Sequence, residues 1–345
     1  MPDQHLIVHV GLPKAASSTF QAALVRSRPH HRAHGVAFPA LGGGGVKDQH
    51  DLKIALTKGR KSAAYGAVFD AIDHAFTKEG ARTVVLSGET VWQSPAAHVE
   101  AFFADALRRN LRVTTLAILR DPATWLNSRY AFRASLFLEA GTFAPFAKAE
   151  LARGTVSWGK HFAPFLSHPQ CPFLAIPLAA QGDDRPVLNR TLEAAGLPQA
   201  FADGAESNRN EALDPRAVEV ARRLQALGLD GREAVLRRRA RSLLMNAAHD
   251  RGWRDKFCGL TPSLAKTIAA RTQEGRDALA HRIWGAPWAH VYADPLPERF
   301  VSNEAADADD DGVAEVTAQL AEALALAGKR GFTWSRFARR PRFSR

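Results

Sequence analysis

Leu6-Ile-Val-His-Val-Gly-Leu-Pro-Lys-Ala-Ala-Ser-Ser-Thr19 is an apolar strand that runs into a tight Gly-x-Pro-Lys turn, where two hydroxyls open a helix. This order aims backbone N–H groups, the Lys14 ammonium and the positive end of a helix dipole at one point. A point of that kind suits a phosphate. The segment is not a Walker A loop, which reads G-x-x-x-x-G-K-[ST] with Lys directly before the hydroxyl. Here Lys14 stands three positions before Ser17, and no second glycine intervenes. His9, inside the strand, reads as a packed core histidine hydrogen-bonded to its neighbours.

A second element points the same way. Val113-Thr-Thr-Leu-Ala-Ile-Leu119 has the β-branched and apolar content of a strand, and it ends in Arg120-Asp-Pro before a helical pattern from Pro122 onward. Arg120 then stands at the carboxyl end of a strand, where open α/β sheets bind ligands. Ser128 follows about two helical turns later. Taken singly, Arg120 could pair with Asp121 and Ser128 could be a solvated hydroxyl.

Together, the run Gly11-Leu-Pro-Lys-Ala-Ala-Ser-Ser18 and the pattern Arg120…Ser128-x-Tyr130 resemble the sulfotransferases that use PAPS, 3′-phosphoadenosine 5′-phosphosulfate. Their 5′-phosphosulfate loop reads roughly P-K-x-G-[ST]-[ST], and Ala16 stands where the family has glycine. The resemblance covers residues 5–40 and 83–132. It implies a P-loop-like α/β fold and a nucleotide cradle of Gly11, Pro13, Lys14, Ala16, Ser17, Ser18 and Thr19. It also implies a 3′-phosphate contact from Arg120 and Ser128, PAP as the product, and no metal. Gly328-Lys-Arg-Gly331 is a weak match to the basic loop that closes over the 3′-phosphate in the cytosolic members.

The rest of the chain alternates. Strands are expected near 6–10, 36–38, 83–87, 113–119 and 173–176, with helices near 17–27, 64–78, 96–109, 122–138 and 186–195. That alternation predicts a mainly parallel central sheet with helices on both faces. From about residue 212 the pattern turns helical, over 215–227, 231–249, 262–281 and 312–327. The expected organisation is an α/β nucleotide-binding core over 1–211, a helical extension over 212–327 and a basic tail over 328–345. The glycine run 42–45 reads as a loop, and Asp307-Ala-Asp-Asp-Asp311 as a turn feeding the last helix.

With 345 residues, 46% hydrophobic and 23% charged, the chain has the composition of a globular protein. No apolar run reaches the roughly 18 residues a membrane-spanning helix needs, and no signal peptide is evident. Two cysteines, Cys171 and Cys258, offer neither a disulfide framework nor metal spacing, so a cytoplasmic setting is expected. Net charge is +11, and seven of those excess charges lie in residues 328–345. Such a tail can touch an anionic partner, but no aromatic–basic platform accompanies it, and nucleic acid is not expected.

An acceptor hydroxyl or amine needs a base within reach. Glu89, in Ser87-Gly-Glu-Thr-Val-Trp92, should share a rim with Lys14. His50, in Lys47-Asp-Gln-His-Asp51, lies in the loop after the second strand. The family uses either residue type, so both stay open. Phe137, Phe143, Phe146, Trp158 and Phe162 either line an apolar acceptor pocket or form core. His30 and His31 read as helix-end surface. The basic balance leans toward an anionic carbohydrate acceptor. Two rival classes remain: a small-molecule kinase with an atypical phosphate loop, and a nucleic-acid-binding protein working through its tail.

Overall fold

The first half of the chain closes into one sheet. The computed structural model describes residues 4–42, 49–199, 213–228, 234–304 and 311–328. Its strands are β1 (His5–Gly11), β2 (Val36–Ala37), β3 (Thr83–Glu89), β4 (Arg112–Leu119) and β5 (Phe173–Pro177). They lie in the order β2-β3-β1-β4-β5, with every neighbouring pair parallel. The expected parallel α/β sheet is therefore present. All of β1 and Val113–Leu119 of β4 are buried, as strands covered on both faces must be.

Helices α1 (Ser17–Arg26), α2 (Arg28–Ala33), α3 (His50–Lys58), α4 (Ala63–Thr77) and α5 (Ala96–Arg108) occupy the crossovers up to β4. After β4 come α6 (Pro122–Ser135), α7 (Phe143–Ala152), α8 (Trp158–Leu166) and, beyond β5, α9 (Val187–Ala194). The remainder is helical, with α10 (Pro215–Ala226), α11 (Ala234–Asp250), α12 (Pro262–Trp284), α13 (Trp288–Val291) and α14 (Asp311–Gly328). Leu52, Leu56, Phe69, Ile72, Phe102 and Phe103 are buried where α3, α4 and α5 pack beside β3 and β4.

The described residues fall into two compact units. One lies within Met1–Leu126, Glu150–Asn208 and Ala265–Arg299 and holds the whole sheet. The other lies within Asn127–Ala149, Arg209–Leu264 and Phe300–Arg345. In this second unit α14 packs on α10 and α11, burying Val218, Leu224, Leu244, Val316 and Leu320. Both units draw on segments from either side of residue 211. Residues 43–45 of the glycine run, 307–310 of the acidic stretch and the basic tail from residue 329 onward lie outside the described residues.

Two local readings need correction. His50 is not in a loop but is the exposed first residue of α3. His31 is not surface: it is buried in α2, and burial beside His30 and His34 pushes its ring down to about 4. Of the two readings left open for Phe137, Phe143, Phe146, Trp158 and Phe162, core is the one the structure bears out: all five are buried, on or next to α6, α7 and α8.

Candidate anion-binding site

The strand order places the candidate residues. From β1 the chain crosses to the β2–β3 side of the sheet, whereas β4 passes on to β5 on the other side. The carboxyl ends of neighbouring β1 and β4 therefore flank a topological switch point, the place where open parallel sheets form a crevice. Gly11 closes β1 opposite Glu89 of β3. A Cβ on Gly11 would sit 3.0 Å from Ser17 Oγ and 3.1 Å from the Gly88 carbonyl, so only glycine lets the three segments meet so closely.

Beyond Gly11 the loop is held by its carbonyls. Leu12 O accepts from Ser17 Oγ at 3.0 Å and from Ala15 N at 3.2 Å. Pro13 O accepts from Trp125 Nε1 at 2.7 Å, and Lys14 O from Arg120 Nη1 at 2.7 Å. Lys14 and Ala16 are both left-handed, with φ of 64° and 60°. Left-handed residues within a turn bring N–H groups round to one concavity. Each such non-glycine residue costs about 1–2 kcal/mol.

The concavity is completed by α1. Its N-cap is Ala16, whose side chain offers no capping oxygen, and its first turn contains no acid. The first bond along the helix is Phe20 N to Ala16 O at 3.0 Å. The N–H groups of Ser17, Ser18 and Thr19 thus have no partner within the helix, at the positive end of its dipole. Ser17 is buried with its hydroxyl turned inward to Leu12 O, whereas Ser18 is exposed and its hydroxyl donates to Glu89 Oε1 at 2.9 Å. The two adjacent serines therefore do different work.

Glu89 is half-buried at the end of β3. The next residue, Thr90, is left-handed (φ 72°) and donates its N–H to Gly11 O at 3.2 Å. That sharp turn keeps the carboxylate beside Ser18. Arg120 is half-buried, and burial pulls its guanidinium below the usual arginine range, with Tyr292 and Asp121 acting the other way. Its hydrogen bonds go elsewhere than to the Asp121 carboxylate. Arg120 Nε donates to Thr124 Oγ1 at 3.3 Å, while Asp121 Oδ1 caps α6 by accepting from Thr124 N at 2.8 Å. Asp121 also lies 3.6 Å from Arg276, and burial raises its carboxyl.

The structure therefore brings together Gly11, Pro13, Lys14, Ala16, Ser17, Ser18, Glu89 and Arg120, with half-buried Thr19 next along α1. No hydrogen bond, ion pair or ring contact joins His50 to them among the described residues. Ser128 stands half-buried on α6, in the second compact unit. Two tryptophans join the site that the sequence reading does not place there: Trp125 binds Pro13 O, and Trp158 Nε1 donates to Arg120 O at 3.1 Å. The available signal is the rule that a buried indole N–H seeks a partner, applied to a Trp one turn past Arg120-Asp-Pro.

On the same sheet edge, beyond the end of β5, lies a cleft of about 510 Å³ lined by Ile176, Pro177, Gln181, Arg185 and His290. Among the described residues, no three His, Cys, Asp or Glu side chains are grouped as metal ligands, and no helix is long and apolar enough to cross a membrane. Compared with known proteins, the chain matches no family model, no curated protein and no solved structure.

Proposed function

We propose that this chain moves a sulfuryl group from PAPS to a hydroxyl or amine of an acceptor, with carbohydrates the first class to test. The observation that carries the reading is the 2.7 Å bond from Arg120 Nη1 to the Lys14 backbone carbonyl, which sets the guanidinium against the loop that bears Lys14, beside the uncapped start of α1. A nucleotide with separate 5′ and 3′ phosphates calls for such a pair of cations. The resemblance of the Lys14 loop to the family's phosphosulfate loop adds the reaction type.

In this reading the amides of Ser17, Ser18 and Thr19 and the Ser18 hydroxyl hold the 5′-phosphate. Arg120 supplies charge for the 3′-phosphate. The acceptor oxygen gives its proton to Glu89 and forms a bond to sulfur, as the bond from sulfur to the bridging phosphate oxygen breaks. PAP leaves with that electron pair, and the Lys14 ammonium neutralises the charge that appears there. Catalysis of this sort is positioning plus charge stabilisation. A phosphate that takes the Ser18 hydroxyl also releases Glu89 from its 2.9 Å bond, so the base is uncovered as the donor binds.

Calorimetric titration with adenosine 3′,5′-bisphosphate, and separately with ATP–Mg²⁺, tests the reading. The expected result is bisphosphate binding that ATP–Mg²⁺ does not displace, weakened at least about tenfold in Arg120→Ala. Lys14→Ala should abolish transfer with the circular dichroism spectrum unchanged. A preference for ATP–Mg²⁺ would make the protein a kinase. Salt-sensitive DNA binding lost on removing residues 328–345 would make it a nucleic-acid binder.

A further inference from the structure

Three tryptophans meet under the rim of the sheet. Trp92 follows the end of β3, Trp125 sits in the first turns of α6, and Trp158 opens α8. Trp125 and Trp158 meet edge to face with centroids 5.0 Å apart at 90°. Trp92 stands edge-on to both, at 6.4 Å and 6.2 Å. All three are equally sealed, at 1%, 0% and 1% exposure. Their indole N–H groups differ. Trp125 donates to Pro13 O and Trp158 to Arg120 O, whereas Trp92 Nε1 is buried with no hydrogen-bond partner among the described residues.

In a trans peptide the C=O and N–H point in opposite directions. A Pro13 carbonyl held down by Trp125 therefore turns the Lys14 N–H upward, and keeps a carbonyl oxygen from facing an incoming anion. The same reasoning applies to Arg120, whose backbone is held through Trp158 while its guanidinium braces Lys14 O. Because the two indoles pack directly on each other, neither loop can shift without pushing the other; interiors this dense do not deform piecemeal.

We infer that Trp125 and Trp158 are positioning residues that lock the loop after β1 and the loop after β4 into one rigid anion cradle, and that Trp92 is filler for the same cluster. The ligand named in the test rests on the sulfotransferase reading; the pinning geometry does not.

The test uses the full chain and three matched variants, Trp92→Phe, Trp125→Phe and Trp158→Phe. Each removes similar buried volume, but only the last two remove a hydrogen bond. Two quantities are read: affinity for adenosine 3′,5′-bisphosphate, and amide hydrogen exchange of the peptide covering residues 11–19. Thermal stability should fall in all three from the lost packing, and further in Trp125→Phe and Trp158→Phe, which leave a buried carbonyl without its donor. Bisphosphate affinity should fall about 5- to 10-fold in Trp125→Phe and Trp158→Phe, and less than about 2-fold in Trp92→Phe. Exchange over residues 11–19 should quicken in Trp125→Phe and stay unchanged in Trp92→Phe. Should Trp125→Phe not fold, 3-benzothienylalanine at position 125, which keeps the bicyclic shape and replaces N–H by sulfur, gives the same readouts. Equal effects in all three variants, or unchanged exchange in Trp125→Phe and in the isostere, overturn the inference. A wild-type protein that ignores the bisphosphate overturns the sulfotransferase reading instead, and the exchange measurement then decides the pinning alone.

Discussion

Two register pairs on the seam between β1 and β3, His9 with Ser87 and Gly11 with Glu89, stand two residues apart and differ in what can reach them. His9 and Ser87 are register partners, hydrogen-bonded Nδ1 to Oγ at 2.7 Å. On sight they could pass for a nucleophile and its base. Both are fully buried, however, and Gln21 Nε2 donates to the same serine oxygen at 3.1 Å. Burial pushes the His9 ring down to about 3, which favours its neutral form near neutral pH. At the next outward register, Gly11 faces Glu89, and the carboxylate meets the Ser18 hydroxyl at the open edge. Similar groups are sealed core in one place and stand at the open rim in the other. What separates them is access to water and ligand, set by how far along the strand they stand.

The contrast breaks first at Glu89. Glu89→Gln should cut turnover about 100-fold or more, the usual contribution of a general base, while His50→Ala stays within about twofold of wild type. Side-by-side steady-state assays check this, and a large His50 effect would move the base to α3. Glu89→Gln should at the same time tighten bisphosphate binding, since it removes a negative charge beside the anion while keeping an acceptor for Ser18.

The interior pair should show up in stability and not in activity. The folded-state pKa of His9 lies below its ordinary value of 6.5, at about 3. Below pH 6.5 the unfolded chain gains a proton that the folded ring refuses, so stability is unaffected above that pH and falls as pH drops toward 3. His9→Gln, which keeps a hydrogen-bonding group and loses the titration, should reduce the stability difference between pH 7 and pH 5 by about 2 kcal/mol in urea denaturation. His31, also depressed, continues to titrate in both proteins and leaves a residual slope.

The smallest effect is expected at Ala16, the position where the resembling family has glycine. Its φ of 60° costs an alanine backbone energy that glycine avoids, partly offset by glycine's freer unfolded chain. Ala16→Gly should therefore stabilise the protein by about 0.5–1 kcal/mol, read as a rise in Tm. A fall would mean that the methyl group packs usefully at the head of α1.

Much of this is legible from residues alone. The runs 6–10, 83–87 and 113–119 announce themselves as strands because segments covered on both faces tolerate few polar side chains. Arg120 can be placed at a strand end because Asp-Pro follows it and starts a helix. The inward turn of the Ser17 hydroxyl is not legible, since Ser17 and Ser18 look alike in sequence and differ only in which side of α1 faces Leu12 O. Nor is the burial of His31, whose neighbours come from a short helix with weak periodicity.

By itself, then, the order of residues determined the parallel sheet and the pairing of a lysine turn with a helix start. Those features follow from local patterns of apolarity and from dihedral preferences within a dozen residues. Only the tertiary structure decided that Lys14 and Arg120 meet, that Glu89 rather than His50 reaches the Ser18 hydroxyl, and that two of three equal tryptophans hold the loops. Those facts depend on hydrogen bonds between groups far apart in the chain, whose partners are chosen by how the strands are ordered and packed.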